Sequence, residues 1–340
     1  MADMSIFDED EFTLTSLTSL ANQEAPVPGQ VGAAFDFEEE GITTTSIKIE
    51  TRGSSLALVE PTPRGGPGEV IDHEGRGLRT FEATHLQRDE SVYADEVQGV
   101  RATGSATEAE TLQSLTDRKM TRHFRDFDLT TEWMRLGALC GKIVSGKGLT
   151  ILDLYREFDL IAPDPIVFDL ASATYKVRRG ADTVRMGMED DLDAPAYGSV
   201  VALCGAEFFQ SLIDHPEVRA TFLNTAAAVE LRGQLPDRFS YGGITWERYR
   251  ASAKARAAVG GSFIPADEAR LGFTGVAGLW LSRYAPADYL DTVNTVGVPR
   301  YVREMDEERT AKRAKFEVQS NPIILCTQPK TLRRLKLKAA

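Results

Sequence analysis

Apolar and polar positions first alternate regularly at residue 44. Ile47 and Ile49 alternate with Ser46 and Lys48, and Leu56 and Leu58 keep the period of two, so residues 44–60 read as strand. From Pro61 to Arg76 seven of sixteen residues are Gly or Pro, too broken a composition for any regular element. Leu78–Leu86 then resumes an extended pattern. Together these segments predict a long two-stranded ribbon, and an isolated ribbon is marginal in water unless it lies on a neighbour. Ahead of it, residues 1–43 read as an arm. Phe12–Leu20 alternates poorly, Pro26–Gly32 breaks the chain, and Glu38–Glu40 closes the segment. Such a stretch cannot bury enough apolar surface to order itself without a larger partner.

The pattern changes to a helical one over residues 105–140. Ser105 with Glu108, or Thr107 with Glu110, fits a capping box. Leu112, Leu115, Phe124, Phe127, Trp133, Leu136 and Cys140 follow at roughly helical spacing without a proline, and Gly141 supplies the stop. A helix of that length is a beam rather than a packing element. Lys142–Leu154 reads as a hairpin turning at Gly146-Lys147-Gly148. Residues 163–300 alternate short strands (Ser199–Cys204, Gly243–Trp246, Leu279–Leu281) with short helices (Ala206–Ile213, Glu217–Asn224), and Ala314–Leu325 reads as one long closing strand.

Composition narrows the classes. Of 340 residues 42% are hydrophobic, enough for a sizeable core. The longest uncharged run, Ala194–Ala206, has 13 residues, short of the roughly 20 needed to span a bilayer. The acidic start (Asp3, Asp8, Glu9, Asp10, Glu11) lacks the basic region of a signal peptide, so the chain is expected to stay in the cytoplasm where it is made. A net charge of −12 has the wrong sign for broad duplex binding. The charge is uneven, −10 over residues 1–40 and +8 over residues 309–340, which suggests pairing of acidic head with basic tail within a chain or between copies.

Candidate chemistry is sparse. Cys140, Cys204 and Cys326 are too widely spaced for a zinc knuckle or a disulfide frame, and the four histidines are equally scattered. Gly141–Gly148 imitates a phosphate loop, but a helix precedes it, a strand follows, and Gly148 stands where a hydroxyl is required, so it reads as a plain turn. Asp190, Asp191 and Asp193 could gather a cation but read as an exposed loop. The basic tail (Lys330, Arg333, Arg334, Lys336, Lys338) has no interleaved aromatics, so nucleic-acid contact there would be with the backbone only. Leu332, Leu335 and Leu337 among those charges suggest that part of the tail is anchored in a sheet. No catalytic residue, cofactor or metal is indicated, and the chain is not expected to be an enzyme.

Several short stretches resemble the phage major capsid protein E family, the lambda-type major head proteins. They are Phe12–Gly32 (FTLTSLTSLANQEAPVPGQVG), Asp153–Leu160 (DLYREFDL), Tyr241–Tyr249 (YGGITWERY), Phe263–Gly272 (FIPADEARLG), Ala285–Asn294 (APADYLDTVN) and Gln319–Pro329 (QSNPIILCTQP). The resemblance implies an α+β chain with the Hong Kong 97-like tailed-phage capsid fold. Its parts would be an N-terminal arm (1–43), an extended E-loop hairpin (44–86), a peripheral domain (87–190 and 305–340) carrying a spine helix over 105–140, and an axial domain (191–304). The last strand, over 314–328, would return to the peripheral sheet.

The function implied is that of a major head protein whose pentamers and hexamers build an icosahedral shell around the genome. The alternative is an encapsulin-like compartment enclosing cargo. The partners implied are other copies of the chain, a separate scaffold protein, a portal, a decoration protein and packaged DNA held by non-specific contact, with no membrane. The chain would reside in the virion, and in host cytoplasm during assembly. Neither the Lys nor the Asn of the inter-subunit crosslink known in some relatives can be matched. The residues expected to touch neighbouring subunits are Arg64, Arg76 and Arg79 on the ribbon, Asp8, Glu9, Asp10 and Glu11 on the arm, and Arg333 and Arg334 on the tail.

Overall fold

The structure, a computed structural model, describes residues 29–52, 76–97, 112–192, 196–223, 237–305 and 312–339. Its longest element is the helix Leu112–Cys140, which at 1.5 Å per residue is about 43 Å long. The capping boxes expected at Ser105 and Thr107 lie outside the described residues. The helix ends as the sequence predicts. Gly141 takes φ +77° and its N–H bonds the Ala138 carbonyl at 3.1 Å. A Cβ at that position would run into the Tyr155 ring. Gly141→Ala therefore combines left-handed strain with a clash, and should lower unfolding free energy by about 2 kcal/mol or more in chemical denaturation.

This helix joins two cores. Its first half packs Leu115, Met120, Phe124 and Phe127 against Val92, Val302, Phe316 and Val318. Its second half sends Met134, Leu136 and Leu139 into the main core, which holds most of the buried apolar residues described. The beam is thus the structural link between two separately packed bodies of side chains.

The strands, in chain order, are β1 (Glu38–Gly41), β2 (Ser46–Arg52), β3 (Arg76–Glu82), β4 (Leu86–Tyr93), β5 (Lys142–Val144), β6 (Thr150–Asp153), β7 (Ile166–Phe168), β8 (Ser199–Cys204), β9 (Arg238–Tyr241), β10 (Ile244–Arg248), β11 (Glu268–Thr274), β12 (Trp280–Tyr284), β13 (Tyr301–Glu304), β14 (Arg313–Ser320), β15 (Pro322–Cys326) and β16 (Arg333–Leu337). Among the described residues, β7-β16-β11-β8-β10-β9 form a mixed sheet. Two three-stranded sheets have the orders β1-β12-β15 and β13-β14-β4, and β2-β3 and β5-β6 are two-stranded.

In the mixed sheet β8 is an unbroken apolar run because both its faces are covered. Register puts Trp246, Ala202 and Leu271 in one row, and Thr245, Val201 and Gly272 in the next, which faces the other side. The first face carries Trp246 stacked on Phe208, centroids 6.1 Å apart, with the indole N–H donating to the Tyr241 carbonyl at 3.0 Å. On the second face Phe35, Trp280 and Leu139 close over Gly272 so tightly that a Cβ there would contact all three.

The closing segment departs from the expected single strand. β14 pairs with β4 and β13, whereas β15 pairs with β12, so the chain changes sheet at Asn321-Pro322. Pro322 cannot donate to a ladder, and the Asn321 amide is held by the Pro286 carbonyl at 3.0 Å, which fixes the crossover. β16 follows, with Leu332 and Leu335 fully buried as the tail's leucines suggest. It pairs with β11 and β7, inside the mixed sheet that residues 199–274 dominate.

Candidate functional site

The chain's extended parts are the ribbon, the arm and the tail. In the ribbon, Ile47 opposes Phe81 and Ile49 opposes Arg79, one face of an antiparallel pair. Lys48, Thr80, Glu50 and Leu78 form the other face, and Leu78 is exposed. The first face lies on its own chain. Phe81 is buried beside Phe158, centroids 5.7 Å apart. The Arg79 guanidinium covers the Phe158 ring at 5.4 Å, bonds Asp159 at 3.0 Å, and donates to the Glu157 carbonyl. The base of the ribbon is therefore anchored in cis. Residues 53–75, Arg64 among them, lie outside the described residues. Arg76 opens β3 opposite Arg52. Leu86 begins β4, in a different sheet, rather than ending the ribbon.

The arm, from residue 29 on, is tied to the long helix by a residue the sequence pattern passes over. Glu132 is buried, and its carboxylate accepts from the Val31 N–H at 2.8 Å, the Gly32 N–H at 3.3 Å and the Tyr249 hydroxyl at 3.1 Å. Burial, then the adjacent Glu132 charge, pushes the Tyr249 phenol up, so it remains a donor. A signal for Glu132 exists, because it lies four residues before Leu136 and seven before Leu139, on the helix's buried stripe.

The acidic run Glu38–Glu40 is β1 itself, parallel to β12. Arg283 takes Glu38 at 3.5 Å and Glu40 at 3.4 Å, while Arg135 takes Glu39 and covers Phe37 at 5.2 Å. These three acids thus pair with Arg135 and Arg283 rather than with the basic tail. Asp8, Glu9, Asp10 and Glu11 lie outside the described residues.

The tail's cations also have partners inside the chain. Lys330 reaches Asp191 at 3.0 Å and Arg333 bonds the same carboxylate. Arg334 bonds Glu268, Lys336 lies 3.6 Å from Asp267, and Lys338 lies 2.7 Å from Asp169. Burial raises the Asp191 pKa, but the bonds from Arg333 and Lys330 outweigh it and hold the carboxyl below its ordinary range. A depressed carboxylate stabilises the fold above its unfolded pKa, near 4, and that contribution is lost as pH falls through the folded value. Amide protection over Arg333–Leu337, corrected for the intrinsic exchange rate, should accordingly be lost as pH falls below about 4, more than in β8. Equal acid sensitivity of the two strands would contradict this.

Other candidate chemistry resolves simply. No metal-holding group of His, Cys, Asp and Glu occurs among the described residues. Cys140, Cys204 and Cys326 are free thiols, and burial pushes Cys326 up to about 12. The phosphate-loop lookalike is a hairpin turn: β5 follows the helix directly, and the Gly148 N–H bonds the Ser145 carbonyl at 2.9 Å. A different feature escapes the sequence reading, a basic pocket of about 420 Å³ where the long helix ends.

Comparison with known proteins gives one answer. The family model described as phage major capsid protein E matches residues 13–337. The major capsid protein of Salmonella phage Felix O1 is 26% identical, covering 96% of this chain and 96% of that one. The major capsid protein of Pseudomonas phage KPP10 is 30% identical, covering 87% of this chain and 89% of that one. Among solved structures, a protein described as a prophage capsid protein, from E.coli CFT073, superimposes with a TM-score of 0.60 at 15% identity, over 96% of this chain and 99% of that one.

Proposed function

The chain belongs to the phage major capsid protein E family, and on that basis we propose that its copies close as pentamers and hexamers into the icosahedral shell around a phage genome. It is a major capsid protein with the Hong Kong 97-like fold, and it assembles with itself in the virion. We propose further that it has no catalytic activity, that it assembles in host cytoplasm with a separate scaffold protein, a portal and a decoration protein, and that it touches packaged DNA non-specifically. The observation that carries it is the family match over residues 13–337.

Physical features support the same reading. The described parts of arm and ribbon are anchored on their own chain, through Glu132 and through Phe81 and Arg79. The loop between β12 and β13 adds an apolar surface, with Leu290, Val293 and Val296 at 91%, 60% and 62% exposure. In the domain terms of the fold, residues 1–43 are the arm and 44–86 the E-loop. Residues 87–190 and 305–340 are peripheral and 191–304 axial, and β7 and β16 are better grouped with the axial sheet that they extend. Negative-stain microscopy of the chain co-expressed with its scaffold should reveal uniform closed shells with both pentameric and hexameric clusters. Compact monomers alone would sink the reading.

A further inference from the structure

The pocket at the end of the long helix carries more positive charge than the carboxylates of the described residues neutralise. Lys142, Arg156, Arg270, Arg333 and Arg334 line it, with Asp153 as the only carboxylate on the lining. Arg270 and Arg334 are direct cross-strand neighbours on β11 and β16, an arrangement that is repulsive unless anions intervene. One buried carboxylate, Glu268, serves both: it lies 2.8 Å from Arg270 and bonds Arg334. Each guanidinium still holds a buried Nε–H without a hydrogen-bond partner. Arg156 is exposed at this pocket and has no carboxylate partner among the described residues, and Lys142 lies 3.5 Å from Asp153.

We propose that this pocket receives acidic side chains, one at a time, from the stretch Asp8–Glu11 of a neighbouring copy. The inference rests on the capsid reading, which supplies neighbouring copies in fixed register. Charge selects the occupant. Asp8-Glu9-Asp10-Glu11 is the densest acidic run in the chain's N-terminal 28 residues. Reach permits it: between Glu11 and Gly29 the chain can extend about 60 Å, enough to cross to another subunit. Size argues against duplex DNA as the occupant. A pocket of about 420 Å³ admits side chains singly, whereas a phosphate backbone needs an open groove.

Cys140 on the pocket wall provides the test. It is half-buried, whereas Cys204 and Cys326 are fully buried and should stay silent. Shells of Glu9→Cys and of Asp10→Cys are treated with diamide, which takes two electrons and two protons as the two thiols join. We expect reducible covalent multimers on a non-reducing gel, absent when Cys140→Ser is added. Monomers only, whether internally bonded or unbonded, would overturn the proposal.

A second arm reverses charge at two exposed positions, Lys142→Glu with Arg156→Glu. Shell yield should fall at least fivefold. Changing Asp8, Glu9, Asp10 and Glu11 together to Lys in the same chain should restore it. Raised salt should mimic the loss, because exposed pairing is screened beyond about 8 Å at physiological ionic strength. Normal yield from the pocket variant, or a yield that the reversed arm does not restore although the variant melts like the parent, would count against the proposal. Normal yield with less packaged DNA would assign the pocket to the genome and overturn it equally. The unaltered chain on the same grid reads the capsid function separately, since failure there would show as missing shells in every sample.

Discussion

A chain lacking Pro61–Gly75 is expected to fold normally and to form no shells. The base of the ribbon contains its own attachment: Phe81 buried on Phe158, Arg79 on Asp159, and Ile47 and Ile49 against the core. The deletion removes none of these contacts, and it spares every strand of the mixed sheet. Its unfolding free energy should therefore stay within about 0.5 kcal/mol of the parent, the usual range for changes away from packed features. On the proposed capsid function the loss falls on assembly, where the deleted stretch is expected to meet a neighbouring copy. Denaturation curves that overlay, with closed particles absent from micrographs, are the expected pair of results. Normal shells from this variant would show that the ribbon's tip makes no contact that the shell needs.

The same elements mark what a single sequence can reveal. Period-two alternation located β2 and β3, helical spacing located the beam, and the apolar run at Val200–Cys204 located the centre of the mixed sheet, because each pattern is local and repeats. The tail's leucines betrayed β16 for the same reason. What stayed hidden depends on residues far apart in the chain. Glu38–Glu40 reads as the acidic close of the arm, yet it forms β1, where Arg135 and Arg283 arrive from other elements to neutralise it. The tail looked free to meet DNA or a neighbour, but its cations are matched by Asp169, Asp191, Asp267 and Glu268, which no spacing rule connects to it. The break at Asn321-Pro322 was masked by the unbroken hydrophobicity on either side, since pattern shows which residues are buried and not which sheet buries them. The basic pocket was invisible for a similar reason: its five cations come from the ends of four elements.

Glu132→Ala should be the most destabilising single change on the arm's anchorage. The carboxylate accepts three hydrogen bonds, from two backbone N–H groups at the start of the helix Gln30–Ala34 and from the Tyr249 hydroxyl. Removing it leaves donors stranded in a buried site, at about 1–3 kcal/mol for each one left unsatisfied. Water entering the space left by the carboxylate would recover part of that, so a net loss of about 3–5 kcal/mol is expected. The long helix itself gains slightly in propensity from alanine, which isolates the effect to the lost acceptor. Glu132→Gln keeps one acceptor oxygen and should lose about half as much. Because the Val31 and Gly32 amides are the arm's first described contacts with the beam, the arm should loosen before the rest of the fold. Protease should then cut ahead of Phe35 at denaturant concentrations where β8 still resists exchange. On the proposed capsid function, shell yield should fall with it. A Glu132→Ala chain within 1 kcal/mol of the parent, with its arm still protected, would show that the aromatic contacts of Phe35 and Phe37 with Trp280 hold the arm without the carboxylate.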